Sequence, residues 1–445
     1  MKALFRLFKK FPVHLFAVAL ILVIIGSNLS GVQAQSNFQK IRGVWITNND
    51  TTRFMDQRKL QESVDFLAQL NFNTLYPVIW NSGYVLYESA IAQREGIQPF
   101  SPRGYQGQDV LADLIEKSHQ KGMLVVPWFE FGFMAPTTSE LVTRHPQWVT
   151  QRRDGSKTWV GGVGEVVWLN PFHPQVQKFV TDLILEMVNK YDLDGVQFDD
   201  HMCLPNEFGY DPYTISLYTK ETKKAPPANP RDPAWMRWRA NKITAFMTEL
   251  HKTVKAQKSN ILFSVSPATY SLAYNTYLQD WLDWIRKGIV DEVIVQVYRS
   301  ELPHFLEPLS RPEFQEAKTK IPTAVGILTG LKTKPIPMPL IDAKVRAADA
   351  QGLGVSFFYY KTLWDIAPES TQERRSYFLS MFSGAPAPRS LAQRIVPTVP
   401  VETPQGMTAP NPPPNLSPSQ PSGITVPVNT FQNEFQDNFP PEPTL

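Results

Sequence analysis

An α/β fold of the (β/α)8 TIM-barrel class, with long loops after strands 3 and 4, is predicted by three features of this sequence. Eight short β-rich runs alternate with helical patterns between about Phe38 and Phe382. The runs are nearly continuous in apolar residues, as strands covered on both faces of a parallel sheet must be. No Gly-rich phosphate loop follows the first run, which removes the main reason to prefer an open doubly wound sheet. Eight strand–helix units in one stretch of this length is the count for a closed barrel.

The strands expected, in order, are RGVWIT (42–47), TLYPVIW (74–80), MLVVPWFE (123–130), DGVQFDD (194–200), LFSVSP (262–267), DEVIVQVY (291–298), PTAVGIL (322–328) and GVSFFYY (354–360). Helical periodicity separates them. Leu60, Val64 and Leu67 share one face, and Val110, Leu111, Leu114 and Ile115 share another that Gly122 ends. Val176, Phe179, Val180, Leu183, Ile184, Met187 and Val188 make the strongest amphipathic stripe. Phe246, Met247, Leu250 and Val254 form the next, then Leu278, Trp281, Leu282 and Ile285. Leu340–Gln351 and Thr371–Phe382 read as helices, the latter closing the body. Only the connection after DEVIVQVY is poor in helix signal.

The ends differ from this body, which spans 38–383. Residues 1–34 read as an export leader: Lys2, Arg6, Lys9 and Lys10 precede an apolar stretch from Phe11 to Ile25, and GVQAQS offers small residues around a cut after Ala34. An uncleaved membrane anchor is the alternative. Either way the body is expected outside the cytoplasm: periplasmic, in the cell envelope, or secreted. Residues 384–445 hold fifteen of the 39 prolines and few aliphatics, too little apolar surface to offset chain entropy, so they read as a disordered tail. A net charge of +3 without a long basic run argues against a nucleic-acid partner. The single Cys203 excludes internal disulfides and Cys-rich zinc sites.

Catalytic groups of such barrels come from the C-terminal ends of strands and the loops beyond them. Strand 3 ends in Glu130, strand 4 in Asp199 and Asp200, strand 6 in Gln296 and Tyr298, and strand 8 near Tyr359. If Val196 and Phe198 face the helices, Gln197 and Asp199 face the barrel interior, with Asp200 at the rim. Glu130 shares a phase with Trp128. Two carboxyls from neighbouring strands are what glycosidic cleavage needs: one protonated, to donate to the leaving oxygen, and one ionised, as nucleophile or base. Asp199 and Glu130 are therefore the expected catalytic pair; ion pairing with barrel arginines is the structural alternative. Asp200, His201, Trp45, Trp128, Asn170, Gln296, Tyr298 and Tyr359 are expected to bind substrate. Asn170 and Tyr298 read equally well as structural, Asn170 at a helix start. The stretch from Phe131 to Pro171 carries Trp148, Trp159 and Trp168, rings suited to stacking on sugars or to forming the core of a loop subdomain. No HxH or HExxH spacing occurs, so no metal or other cofactor is called for, though Asp199, Asp200 and His201 together keep a metal reading open.

The motifs RGVWIT, FNTLYPVIWNSGY, VPWFEFG, WLNPFHPQVQKFV, DGVQFDDH, NPRDPAWMRWRANKIT and VIVQVYR, in this order over roughly 40–370, resemble the glycosyl hydrolase-like family 10. The resemblance implies an exported (β/α)8 glycoside hydrolase and, for at least some relatives, action on cell-wall glycan strands. DGVQFDD is also similar to the strand-4 signature of the α-amylase superfamily, whose nucleophile falls at Asp199. Gln197 there replaces that superfamily's arginine, and SVSP ends strand 5 without its glutamate. The same run resembles the chitinase pattern, with His201 where the catalytic glutamate would fall. The expectation is an exported glycoside hydrolase acting on a polysaccharide, peptidoglycan glycan strands first. A glycan-binding envelope protein without turnover is the rival.

Overall fold

The computed structural model describes residues 39–97, 108–161, 164–384 and 389. The expected leader at 1–34 lies outside the described residues, as does nearly all of the expected tail. No helix among the described residues is long and apolar enough to cross a membrane.

Eight parallel strands close into a barrel: β1 (Arg42–Ile46), β2 (Thr74–Asn81), β3 (Leu124–Val125 and Trp128–Phe129), β4 (Gly195–Asp199), β5 (Leu262–Ser266), β6 (Glu292–Gln296), β7 (Thr323–Leu328) and β8 (Gly354–Phe358). Neighbours pair in chain order, and the ring closes where Val44 of β1 stands opposite Leu75 of β2 on one side and Phe357 of β8 on the other. β3 comes in two pieces because Pro127 has no N–H to give the ladder, while its carbonyl still accepts from Gln197 at 2.8 Å.

Helices cover the outside. Pro174–Lys190 buries Val176, Phe179, Val180, Leu183, Ile184, Met187 and Val188, the stripe its periodicity predicts. Each such side chain contributes about 1.5–3 kcal/mol of transfer free energy. The Leu278 stripe is shorter than expected. Leu278 itself takes a left-handed conformation after helix Tyr270–Tyr277, and a new helix runs Trp281–Arg286. After β6, where the sequence is poor in helix signal, two helices form, Leu302–Leu309 and Pro312–Lys320. Their prolines hid them. Pro303 and Pro312 occupy first-turn positions where no N–H is needed, and Pro308 sits in a last turn that buries Phe305 and Leu309.

Between β3 and the Pro174 helix the chain builds a three-stranded antiparallel sheet from Met134–Pro136, Thr158–Gly161 and Gly164–Trp168. At the opposite, N-terminal end of the barrel, Arg389 is buried. It donates to Thr74 Oγ1 at 2.9 Å and to Glu292, whose other oxygen accepts from the Tyr76 hydroxyl at 3.1 Å.

Candidate active site

Asp199 is the last residue of β4, and side-chain alternation places it. Phe198 faces outward onto Phe129 and Phe263, while Gln197 faces inward, accepting from Trp45 Nε1 at 2.7 Å and donating to Ser264 Oγ at 3.0 Å. Asp199, two residues on, therefore meets the interior layer above. One oxygen accepts the Trp128 indole N–H at 2.7 Å. The other accepts Gln296 Nε2 at 3.1 Å and the Asp200 backbone N–H at 2.5 Å. The residue is 2% exposed. Burial, and then the neighbouring Asp200 and Glu130 carboxyls, push its pKa well above the ordinary carboxylate range.

Glu130 follows β3 at the same end of the barrel and is 9% exposed. Asn81, the last residue of β2, donates its amide to Oε2. Burial pushes the Glu130 pKa up to about 8, with Asp200 adding to the rise and the Asn81 bond opposing it. Among the described residues, no Lys or Arg lies within ion-pair distance of either Glu130 or Asp199, so the structural alternative of barrel arginines is not what is found.

A tight turn follows β4. The Asp199 carbonyl accepts the Met202 N–H at 3.1 Å and Gln279 Nε2 at 3.0 Å. His201 Nδ1 lies 2.9 Å from the Glu130 carbonyl; a carbonyl only accepts, so Nδ1 carries the proton. The same nitrogen is 3.5 Å from oxygens of Asp199 and Asp200. The Asp200 and His201 side chains are 19% and 27% exposed, which makes them the open part of the cluster. Tyr298 stacks on Phe358 with centroids 5.1 Å apart, and the charges of Asp199, Asp200 and Glu130 add to the burial that raises its phenol.

The structure thus brings Asp199, Asp200, His201, Glu130, Trp128, Gln296 and Tyr298 together. Three residues expected on the substrate are placed elsewhere. Trp45 lies one layer down, 1% exposed, with its N–H committed to Gln197. Asn170 is buried in a network that ties loops together: its amide donates to Asp211 and Thr214, and its oxygen accepts the Phe172 N–H. It does not start the helix, whose cap is His173. Tyr359 is buried beside Asp50. Two residues that hold the site were not singled out from sequence. Asn81 ends β2, and the strand-end rule applied to WNSGY finds it; Gln279 lies in a loop and carries no such signal.

Asp199, Asp200 and His201 each have a ligand-type atom within 4.8 Å of the others. Three of the roughly four lone-pair sites of the Asp199 carboxylate already accept N–H donors, and the Nδ1 proton of His201 faces a carbonyl, which leaves its Nε2 as the ligand atom. The Asp199 carboxylate is held chiefly by hydrogen bonds from these N–H groups. Cys203 is fully buried and burial raises its thiol, so it stays neutral.

This architecture has known counterparts. The glycoside hydrolase domain of PgaB (BpsB) from Bordetella bronchiseptica superposes with a TM-score of 0.58 at 14% identity, over 77% of this chain and 99% of that one. Alpha-L-fucosidase isoenzyme 2 from Paenibacillus thiaminolyticus does so at 0.52 and 14%, over 77% and 49%. At such identities the likeness is one of fold. In sequence, the chain is 25% identical over 306 residues to glycosyl hydrolase DigH of Escherichia coli K12, covering 59% of this chain and 66% of DigH. It is 23% identical over 316 residues to glycosyl hydrolase YngK of Bacillus subtilis, covering 63% and 59%. The chain therefore spans somewhat less than two thirds of the length of these relatives. Residues 40–347 match the family described as glycosyl hydrolase-like 10, a stretch that contains every residue of the acid cluster. The chain belongs to the glycosyl hydrolase-like 10 family.

Proposed function

We propose that this protein is an exported glycoside hydrolase that cleaves glycosidic bonds in a polysaccharide, with peptidoglycan glycan strands as its substrate. The observation that carries the reading is the pair of buried carboxyls, Glu130 and Asp199, at the C-terminal ends of adjacent strands with no Lys or Arg among the described residues paired to either. Crowded carboxyls relieve their repulsion by keeping a proton on one of them. Glu130, whose carboxyl accepts from Asn81, keeps the proton. Asp199 is also raised by burial, but its three N–H donors favour the ionised form over the neutral one, and we assign the charge to it on that geometry.

Glu130 then protonates the leaving oxygen while Asp199 supports the positive charge that develops on the sugar, as nucleophile or as base toward water. Asp200 and His201, the open members of the cluster, bond sugar hydroxyls. Family membership and the names of DigH and YngK support hydrolysis as the reaction class. Export and a cell-wall substrate rest on the leader-like first 34 residues and on the family resemblance. A second reading, glycan binding without turnover, draws on β5, which ends in Ser266 and brings no carboxyl.

The decisive assay is reducing-end release from purified, peptide-free glycan strands by the wild type and by Glu130→Gln and Asp199→Asn. Turnover by the wild type and its loss in both variants is the expected result. Full activity in Asp199→Asn removes the assignment, and wild-type binding without turnover favours the second reading.

A further inference from the structure

Beside the acid cluster stands a row of rings drawn from three separate segments. The His201 ring lies 6.4 Å from Trp168, Trp168 lies 5.0 Å from Trp159, and Trp159 lies 5.9 Å from Tyr277 at an interplanar angle of 18°. Trp159 and Trp168 belong to the antiparallel pair Thr158–Gly161 and Gly164–Trp168 inserted after β3. Tyr277 ends the helix that follows β5, and its carbonyl accepts the Leu204 N–H at 3.1 Å, fastening that helix to the segment just past His201. The row begins at the acids and runs outward. Trp168 is buried, whereas Trp159 and Tyr277 are only half-buried; Val160, the next residue of the strand, points to the opposite face and is 76% exposed. Burial and the charge of Asp200 both raise the Tyr277 phenol, which agrees with its place next to the cluster.

A purely structural hairpin has little reason to leave two large rings, carried by different segments, parallel and partly in water beside a carboxylate cluster. We propose that Trp159 and Tyr277 form a sugar-binding subsite that takes the C–H face of a pyranose next to the one being cleaved. The inference rests on the glycoside hydrolase reading and gives that substrate a second point of attachment: a chain of equatorially linked pyranoses is a flat ribbon that offers C–H faces to ring walls. A single sugar at the acids would not reach this wall, so the subsite makes the protein select for chain length.

The test is a binding measurement, and it stands apart from catalysis. Tryptophan fluorescence of the full chain is titrated with N-acetylglucosamine and with its β-1,4-linked disaccharide. The wild type is expected to bind the longer probe more tightly. Trp159→Ala and Tyr277→Ala each cut that preference by about ten-fold, the size of one stacking contact, and Trp159→Phe restores most of it. Val160→Ser, an exposed neighbour, leaves both affinities and the preference unchanged. Thermal midpoints of all variants separate lost binding from lost folding. Equal affinities for the two probes in the wild type, or an unchanged preference in Trp159→Ala with the fold intact, overturn the subsite. Absence of turnover with the length preference preserved overturns the hydrolase reading and leaves the subsite standing.

Discussion

Trp128 donates its indole N–H to Asp199 at 2.7 Å, from a position two residues before Glu130 on the same strand end. One short segment at the end of β3, Trp128 to Glu130, therefore both carries the proposed acid and holds its partner carboxylate. The two groups cannot drift independently, because Trp128 also stands directly opposite Gln197 in the β3–β4 register.

Trp128→Phe keeps a ring in place and deletes that donor. The proposed mechanism needs Asp199 charged and fixed, and one preorganised N–H aimed at a reacting group contributes about a hundred-fold to kcat. The expected outcome is a kcat reduced by about that factor with KM nearly unchanged, together with an acid limb of the pH profile displaced upward because Asp199 holds its proton more tightly. Steady-state kinetics across pH check both parts. An unaltered pH profile would mean that Trp128 serves packing alone.

Glu130 yields a prediction whose sign is set by its raised pKa. As general acid it must be protonated, so activity is expected up to about pH 8 and declines as pH rises through that value. Stability runs the same way. The group binds a proton in the folded protein at pH values where the unfolded chain, with a carboxyl near 4.5, has lost it. The associated stabilisation is complete below about 4.5 and disappears as pH rises through about 8. Glu130→Gln removes the burden of a buried charge. It is expected to abolish turnover while raising the thermal midpoint by a few degrees at pH 8 and by little at pH 4. Thermal melts at the two pH values are the measurement, and a lower midpoint at pH 8 contradicts the assignment of a neutral, buried acid.

How much of this was legible in the sequence follows from the physics of each part. Barrel strands are buried on both faces, so β1 to β8 announce themselves as apolar runs, and the Pro174–Lys190 helix shows its stripe directly. Asp199 and Glu130 could be read because a strand end and a period of two locate a side chain without any tertiary knowledge. The helices after β6 could not, since Pro303, Pro308 and Pro312 read as breakers until their places in the turns are known. Neither could Asn170, whose partners Asp211 and Thr214 lie more than forty residues away in sequence. Long-range pairing of polar groups leaves no local pattern.

The barrel floor is the plainest such case. Arg389 lies past the last helix, in a stretch whose composition reads as tail, yet it is buried against Glu292, 97 residues earlier in the chain. Removing one member of a buried pair leaves the other charge uncompensated, at a cost of about 3–5 kcal/mol. Arg389→Ala is expected to lower unfolding free energy by that order, with Glu292→Gln largely restoring it in the double variant. Urea unfolding of the four proteins measures the coupling. Additive effects would show that Arg389 does not pair with Glu292 in solution.

Gly132 connects fold to chemistry at a single backbone position. Its φ is +47°, and a Cβ there would sit 2.4 Å from the His201 carbonyl oxygen and 2.6 Å from the Met202 nitrogen. Both contacts are with backbone, which cannot swing aside as a side-chain tip can. Gly132→Ala must therefore push the segment after β3 away from the turn after β4, in addition to the strain of a left-handed alanine. The two segments carry Glu130 and the Asp199–His201 group, and the Phe133 N–H to His201 carbonyl bond of 3.1 Å joins them. A displacement of about 1 Å between reacting groups costs about a hundred-fold in rate. Activity is accordingly expected to fall by that factor in Gly132→Ala, well beyond what the change in stability accounts for. The comparison of kcat with the unfolding midpoint checks it, and parallel losses in the two would place the role of Gly132 in folding rather than in the alignment of the carboxyls.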